Sequence, residues 1–120
     1  MKTIIVDDDP DLRLLIRATL ASDPRFEIVG EAVAATDAVE LALQEQPDLI
    51  ILDYLIEGEF TGLEAVPLLR VAAPNAKFIL FTGFENLGPA SDSVAVLVKT
   101  KIEDLVPLAQ QLLGLEPIPK

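Results

Sequence analysis

Short, strongly apolar runs alternate with longer amphipathic stretches along this chain. The apolar runs cover residues 4–6, 26–29, 49–52, 78–81 and 94–98. Runs of this length, separated by polar residues, Gly or Pro, predict buried strands. Between the runs, apolar residues recur with helical spacing, which predicts crossover helices. The alternation therefore predicts an α/β fold in which a parallel sheet carries helices on both faces.

Local signals place the ends of the first predicted elements. Asp9 and Pro10 have the character of an N-cap followed by the first residue of a helix. Gly30 is expected to close the second strand, because glycine is common where a chain turns. The next helix is predicted over 35–46, since Pro47 cannot continue it.

Later in the chain, two pairs of residues have the spacing of a capping box. Thr61 with Glu64 predicts the start of the third helix, and Thr100 with Glu103 predicts the start of the last one. Pro107 lies inside that last pattern. It is expected either to kink the helix or to mark its true start.

Charged and hydroxyl side chains directly follow four of the five apolar runs. They are Asp7, Asp8 and Asp9 after the first run, Asp53 after the third, Thr82 after the fourth and Lys99 after the fifth. Because the carboxyl ends of parallel strands meet at one edge of a sheet, we expect these groups to lie together. Crowded carboxylates repel one another, and a cation stabilises them as anions.

Such a group of side chains is suited to phosphoryl transfer. Carboxylate oxygens are ligands that Mg²⁺ accepts. Asp53 would be the nucleophile, since a carboxylate can form an acyl phosphate. Positive charge from Mg²⁺ and Lys99 would stabilise the loose transition state of the transfer.

Composition narrows the chemistry further. The chain has 120 residues, of which 51% are hydrophobic, and this suits one domain with a real core. It contains no cysteine and no histidine, which excludes thiolate sites, imidazole ligands and a phosphohistidine role. A net charge of −11 disfavours direct binding to nucleic acid. No leader or membrane-spanning run is visible, so we expect a cytoplasmic protein with no membrane partner.

Four segments together resemble the receiver domain of two-component response regulators. They are residues 4–10 (IIVDDDP), 47–53 (PDLIILD), 81–83 (FTG) and 98–99 (VK), in that order and each at a predicted strand end. The resemblance extends along essentially all of residues 1–120, which we expect to form one receiver domain. It implies a flavodoxin-like, doubly wound sheet of five parallel strands in the order 2-1-3-4-5.

The resemblance also implies functional roles. Asp53 would accept a phosphoryl group from a sensor histidine kinase or a histidine phosphotransferase. Thr82 and Lys99 match the switch hydroxyl and the phosphate-binding lysine. Phosphorylation would alter a surface that binds a downstream protein target or forms a weak homodimer, and the chain would catalyse only its own phosphorylation and dephosphorylation. The implied Mg²⁺ ligands are Asp7, Asp8, Asp53 and the backbone carbonyl of Leu55.

The chain also departs from the usual receiver pattern. Glu57 stands where the family usually has a proline, and Val96 stands where an aromatic residue is usual. The stretch 82–99 is short by more than one helical turn, which predicts that the fourth helix is short or missing. Thr100 replaces a frequent proline, so the peptide bond before it is expected to be trans.

These departures keep two alternative functions open. The first is a pseudo-receiver, a protein-interaction module that keeps the fold and is not controlled by phosphorylation. The second is a phosphatase of the haloacid-dehalogenase type, which uses an aspartate nucleophile and an acid two residues later. Asp7 and Asp9 fit that spacing, but Asp11 stands where the pattern requires Thr or Val.

Overall fold

The structure, a computed structural model, describes residues 1–54, 62–83 and 94–117. Within these ranges the strands are β1 (Lys2–Val6), β2 (Glu27–Ala32), β3 (Leu49–Asp53), β4 (Lys77–Thr82) and β5 (Val94–Val98). The α-helices of the same ranges are α1 (Pro10–Leu20), α2 (Ala35–Glu45), α3 (Gly62–Ala72) and α4 (Leu105–Leu112).

The five strands form one parallel sheet in the order β2-β1-β3-β4-β5. α2 and α3 cover one face of this sheet, and α1 and α4 cover the other. The predicted α/β fold is therefore confirmed. The prediction of a short or missing fourth helix concerns residues 84–93, which lie outside the described residues. Among the described helices, we find none that is both long enough and apolar enough to span a membrane.

Side chains of different size fill the two halves of the core. The face under α2 and α3 packs eight buried alanines against the aliphatic and aromatic residues of the strands. The face under α1 and α4 has one buried alanine, and leucine, isoleucine and phenylalanine supply most of its volume. Alanine has no side chain beyond its β-carbon, so the first pair of helices can pack closely against the sheet. The alanines of the first face are Ala32, Ala35, Ala38, Ala42, Ala65, Ala72, Ala73 and Ala76.

α1 begins as the sequence predicts. Asp9 is its N-cap, and the carboxylate of Asp9 accepts a hydrogen bond from the backbone N–H of Asp11 at 2.9 Å. Pro10 occupies the first helical position, where the N–H that proline lacks would have no helical partner. The peptide bond before Thr100 is trans, because no cis peptide occurs among the described residues.

The second strand is longer than predicted, and the prediction that Gly30 closes it is wrong. Gly30 lies inside β2 and pairs with Ile4 of β1, next to an irregularity in the register. A β-carbon on Gly30 would lie 2.5 Å from a terminal methyl carbon of Leu41 in α2. Glycine is therefore suited to this position by the close approach of α2, and it forms no turn there.

The predicted capping box of Thr100 and Glu103 is also wrong. Residues Lys99–Asp104 form a 3₁₀ helix that has no side-chain cap, and α4 begins after it. Pro107 is the third residue of α4, within the first turn, where backbone N–H groups have no helical acceptor. It therefore marks the true start of the helix, the second of the two predicted outcomes. The other predicted capping box includes Thr61, which lies outside the described residues.

The buried carboxylate of Asp23 joins the turn before β2 to α4. Asp23 is 1% exposed, and its Oδ2 lies 2.8 Å from Nη2 of Arg25. The same oxygen accepts a hydrogen bond from the side-chain amide of Gln110 in α4 at 3.1 Å. Arg25 also donates to the carbonyl oxygen of Glu116 at 2.7 Å. The hydrogen-bonded guanidinium of Arg25 holds the pKa of Asp23 well below its usual range.

We predict that Asp23→Asn lowers the free energy of unfolding by about 1–2 kcal/mol at pH 7, because it removes the charge of a buried carboxylate that accepts hydrogen bonds from Arg25 and Gln110. A depressed pKa stabilises the folded state above the unfolded pKa of about 4, and this stabilisation is lost as the pH falls further. Urea denaturation at pH 7, 5 and 3 should therefore show a difference between wild type and variant that shrinks at pH 3.

The matched control is Asp104→Asn, because Asp104 is exposed and its side chain forms no cap hydrogen bond. This control should change the unfolding free energy by less than about 0.5 kcal/mol at each pH. If Asp23→Asn were equally mild, Asp23 would not stabilise this part of the fold.

Candidate functional site

Carboxylates from the ends of β1 and β3 meet at the carboxyl edge of the sheet. Val6 pairs with Leu52, so Asp7, the next residue along the chain, lies beside Asp53. Ligand oxygens of Asp7, Asp8 and Asp53 all lie within 4.8 Å of one another. Asp7 and Asp53 are buried, whereas Asp8 is exposed. We call these three residues the acidic cluster.

Lys99 brings a positive charge to the acidic cluster. It directly follows β5, two strands away from β3, and its side chain reaches back toward Asp53. Its Nζ lies 3.1 Å from Oδ1 and 3.2 Å from Oδ2 of Asp53. The pair is a salt bridge that joins the ends of β5 and β3. The Lys99 side chain is 34% exposed and that of Asp53 is 6% exposed, so the ion pair reaches from a buried carboxylate toward the surface.

Thr82 ends β4, the strand that lies between Asp53 and Lys99. It follows Phe81, the residue that pairs with Asp53, and it is buried. A hydroxyl in this position offers a donor for an anionic oxygen. The structure thus brings four strand ends together as the sequence predicts. Leu55, whose carbonyl is the remaining implied Mg²⁺ ligand, lies outside the described residues.

Burial makes the charge of Asp7 costly. Burial first, and then the neighbouring charge of Asp53, together raise the pKa of Asp7 to about 6 against the lowering effects of a backbone hydrogen bond from Asp9 and of the Lys99 charge. Asp7 Oδ1 accepts that bond at 2.9 Å. Asp7 Oδ2 is buried and has no hydrogen-bond partner in the part of the chain that the structure describes. A buried oxygen without a donor, next to two further carboxylates, fits a hard cation such as Mg²⁺.

Asp9 has a different role from its two neighbours. Its carboxylate caps α1 through the N–H of Asp11, and its own N–H donates to Asp7. Asp9 therefore orients the acidic cluster without belonging to it. The phosphatase alternative requires the Asp9 carboxylate as an acid, and here that carboxylate is engaged at the helix end.

Sequence reasoning missed one residue at this edge. Arg13, in the first turn of α1, donates from Nη1 to the backbone carbonyl of Asp7 at 2.7 Å. Its Nε donates to Glu31 of β2 at 2.9 Å. The helical pattern places Arg13 one turn after Asp9, which indicates that Arg13 lies near the end of β1. This spacing is the one sequence signal for its contact with Asp7. Nothing in the spacing along the chain indicates the pairing with Glu31.

Comparisons with known proteins agree with this arrangement. The family model for the response regulator receiver domain matches residues 3–106. The nitrate/nitrite response regulator protein homolog of Haemophilus influenzae is 33% identical over 82 residues, which cover 68% of this chain and 39% of that protein. The transcriptional regulatory protein LiaR of Bacillus subtilis is 31% identical over 84 residues, covering 70% and 39%. This chain thus spans about two fifths of the length of these curated relatives.

Solved structures agree as well. A DNA-binding response regulator of the LuxR family from Staphylococcus aureus superposes with a TM-score of 0.79 at 28% identity, covering 92% of this chain and 97% of that chain. The response regulator domain of Thermotoga maritima CheB superposes with a TM-score of 0.80 and covers 98% of both chains. At 21% identity, the CheB comparison supports the fold alone.

The strand order, the strand-end residues and the family match over residues 3–106 lead to the same conclusion. The chain belongs to the family of response regulator receiver domains of two-component systems.

Proposed function

We propose that this receiver domain, taken as residues 1–120, is a phosphoacceptor and that Asp53 carries the phosphoryl group. The observation that supports the proposal is the buried Asp53 carboxylate, which lies beside two other acids and 3.1 Å from the Lys99 ammonium. Because residues 1–120 contain no histidine, the donor is a phosphohistidine outside this sequence or a small molecule. A sensor histidine kinase or a histidine phosphotransferase is the protein donor that we propose.

The transfer moves one phosphoryl group between two nucleophiles. A carboxylate oxygen of Asp53 attacks phosphorus, and the bond from phosphorus to the histidine nitrogen breaks. The electron pair of that bond stays on the imidazole. Lys99, already within 3.2 Å of both carboxylate oxygens, can follow the negative charge onto the phosphoryl oxygens. The Thr82 hydroxyl can donate to one of those oxygens once they have arrived.

A divalent cation fits the acidic cluster, and its bound charge would lower the repulsion between the carboxylates and the incoming phosphoryl group. We propose Asp7, Asp8, Asp53 and the backbone carbonyl of Leu55 as the residues that hold Mg²⁺. The support is chemical: the donors are all oxygen, and Asp7 Oδ2 is buried without a partner among the described residues. Asp9 keeps its neighbour Asp7 oriented toward the cation.

Output would pass through a surface that changes when Asp53 is phosphorylated. A downstream protein is the expected target, and a weak homodimer fits the same mechanism. With a net charge of −11, this chain disfavours nucleic acid as a direct partner. We propose that the domain works in the cytoplasm, where phosphodonors and Mg²⁺ are available, and that its chemistry is confined to its own phosphorylation and dephosphorylation.

We predict that incubation with Mg²⁺ and a small phosphodonor such as acetyl phosphate adds one phosphoryl group to the wild type and none to Asp53→Asn. Intact-mass spectrometry measures the adduct directly. The matched control is Asp48→Asn, since Asp48 precedes the same strand that Asp53 ends. This control should be labelled like the wild type, because its carboxylate lies at the opposite end of β3.

Each other outcome of this experiment supports a different function. Labelling that persists in Asp53→Asn would rule out Asp53 as the acceptor. No labelling of the wild type by acetyl phosphate or by a kinase, and no response to beryllofluoride, would support the pseudo-receiver. Sustained phosphate release that requires Asp7 and survives loss of Asp53 would support the phosphatase, which family membership does not favour.

We also predict that Asp7→Asn raises the free energy of unfolding by about 1 kcal/mol in metal-free buffer at neutral pH. The substitution removes a buried charge that Asp53 repels, while the amide oxygen can still accept from Asp9. Wild type should gain about 1.4 kcal/mol in Mg²⁺ at ten times its dissociation constant, and the variant should gain nothing. Urea denaturation with and without MgCl₂, at constant ionic strength, measures both effects.

The control for that measurement is Asp11→Asn, an exposed acid in the first turn of α1. It should keep the full Mg²⁺ increment, because its carboxylate lies outside the acidic cluster. Equal increments in wild type and Asp7→Asn would show that the cation binds elsewhere.

A further inference from the structure

Asp7 is held at three of its four polar atoms. Its backbone N–H donates to the carbonyl oxygen of Ala32 in β2 at 3.0 Å. Its carbonyl oxygen accepts from Arg13 at 2.7 Å, and its Oδ1 accepts from the N–H of Asp9 at 2.9 Å. Only Oδ2 has no partner among the described residues. The position of that one oxygen is therefore fixed by the three other contacts.

Of these three contacts, the one from Arg13 is made by a side chain. The backbone contacts from Ala32 and Asp9 follow from the strand pairing and the helix cap, whereas the Arg13 contact depends on a single residue. Arg13 is 20% exposed, and its Nε donates at the same time to Glu31 Oε1 at 2.9 Å. The guanidinium thus bridges β2 and the chain segment that leaves β1.

A second arginine, Arg17, forms an ion pair with the same residue, Glu31. Arg17, one turn later in α1, pairs through Nη2 with the other carboxylate oxygen of Glu31. The hydrogen bond from Arg17 is the main reason why the pKa of Glu31 lies below its ordinary value, and Arg13 lowers this pKa as well. Within the described part of the chain, Arg17 donates to Glu31 and not to Asp7, and its side chain is more exposed, at 46%. Arg17 is therefore a natural control for Arg13, because both arginines pair with Glu31 and Arg13 also contacts the acidic cluster.

We propose that Arg13 is a positioning residue of the acidic cluster, which it serves by fixing the backbone carbonyl of Asp7 and thereby setting the affinity of the cluster for a divalent cation. The inference deepens the proposed function and rests on it. Arg13 does not touch the cation; it acts through Asp7. Residues that orient metal ligands in this way typically change metal affinity by about 10–100-fold when they are replaced.

Electrostatics alone makes the opposite prediction. A guanidinium is a positive charge near a site for a cation, so its removal would tighten cation binding if charge were its only effect. The hydrogen bond from Arg13 holds Asp7 in place. If the position of Asp7 controls cation affinity, removal of Arg13 weakens cation binding. The direction of the change in affinity therefore separates the two effects.

The test compares Arg13→Met with Arg17→Met, two substitutions that remove an arginine from Glu31 and keep an unbranched apolar stem. Mg²⁺ alone is titrated into each metal-free protein. Isothermal titration calorimetry gives the dissociation constant, and the fluorescence of Tyr54, the single tyrosine of a chain without tryptophan, reports from the residue next to Asp53. We expect Arg13→Met to weaken Mg²⁺ binding about tenfold and Arg17→Met to change it less than about twofold.

Arg13→Lys is the milder variant, since an ammonium can donate to the Asp7 carbonyl but cannot bridge to Glu31 with a planar fork. It should recover part of the lost affinity. Circular dichroism and urea denaturation confirm that each variant is folded. Both Met variants should lose stability through Glu31, and Arg13→Met should lose more, because it also removes the hydrogen bond to the Asp7 carbonyl. A tenfold loss of Mg²⁺ affinity in a variant that is fully folded during the titration is a result that a merely structural role would not give.

Three results would overturn the inference alone: unchanged affinity in Arg13→Met, tighter binding in Arg13→Met, or equal weakening in both Met variants. The last would assign the effect to the Glu31 pair as a whole. A wild type that binds no Mg²⁺ in either measurement would instead overturn the proposed metal site, and the inference with it.

Discussion

The repulsion between two buried carboxylates at the end of an apolar sheet is the constraint on which the functional edge depends. Parallel pairing of β1 with β3 brings Asp7 beside Asp53, and burial prevents water from screening them. Such an arrangement costs folding free energy unless nearby groups offset the charge. The fold supplies one such group, the ammonium of Lys99 directly after β5, and brings together carboxylate oxygens that suit a cation. The burial of Asp7 beside Asp53 thus both lowers stability and creates a group of oxygens that can bind a cation.

The two buried acids are held in different ways. Backbone groups and the half-buried Arg13 hold Asp7, so its position follows from strand pairing and from the first turn of α1. Asp53 faces Lys99, a flexible side chain that is one-third exposed. One half of the site is therefore fixed by the fold, and the other half contains a charge that can move with a new ligand. This division would suit the proposed function, in which a cation and a phosphoryl group bind at the same edge of the sheet.

Much of the fold and of the candidate site could be predicted from the sequence, because apolar runs mark parallel strands and the residues after them mark one edge. Local signals with two meanings were less informative. Gly30 fits both a strand end and a close helix contact, and the structure uses the second. The capping-box spacing at Thr100 predicts a helix start there, whereas α4 starts at Leu105, two residues before Pro107. The pair of Arg13 and Glu31 joins residues 18 apart on different elements, a distance that no periodicity encodes.

The unequal sizes of the core side chains on the two sheet faces have a mechanical consequence. Alanine has no side-chain rotamers, so the eight alanines under α2 and α3 give that layer few alternative packings. The leucine, isoleucine and phenylalanine side chains under α1 and α4 can change rotamer and repack. Repacking around α1 and α4 therefore has more side-chain rotamers available than repacking around α2 and α3. We expect small helix shifts to be easier on the side of the sheet where α4 lies, directly after the element that begins with Lys99.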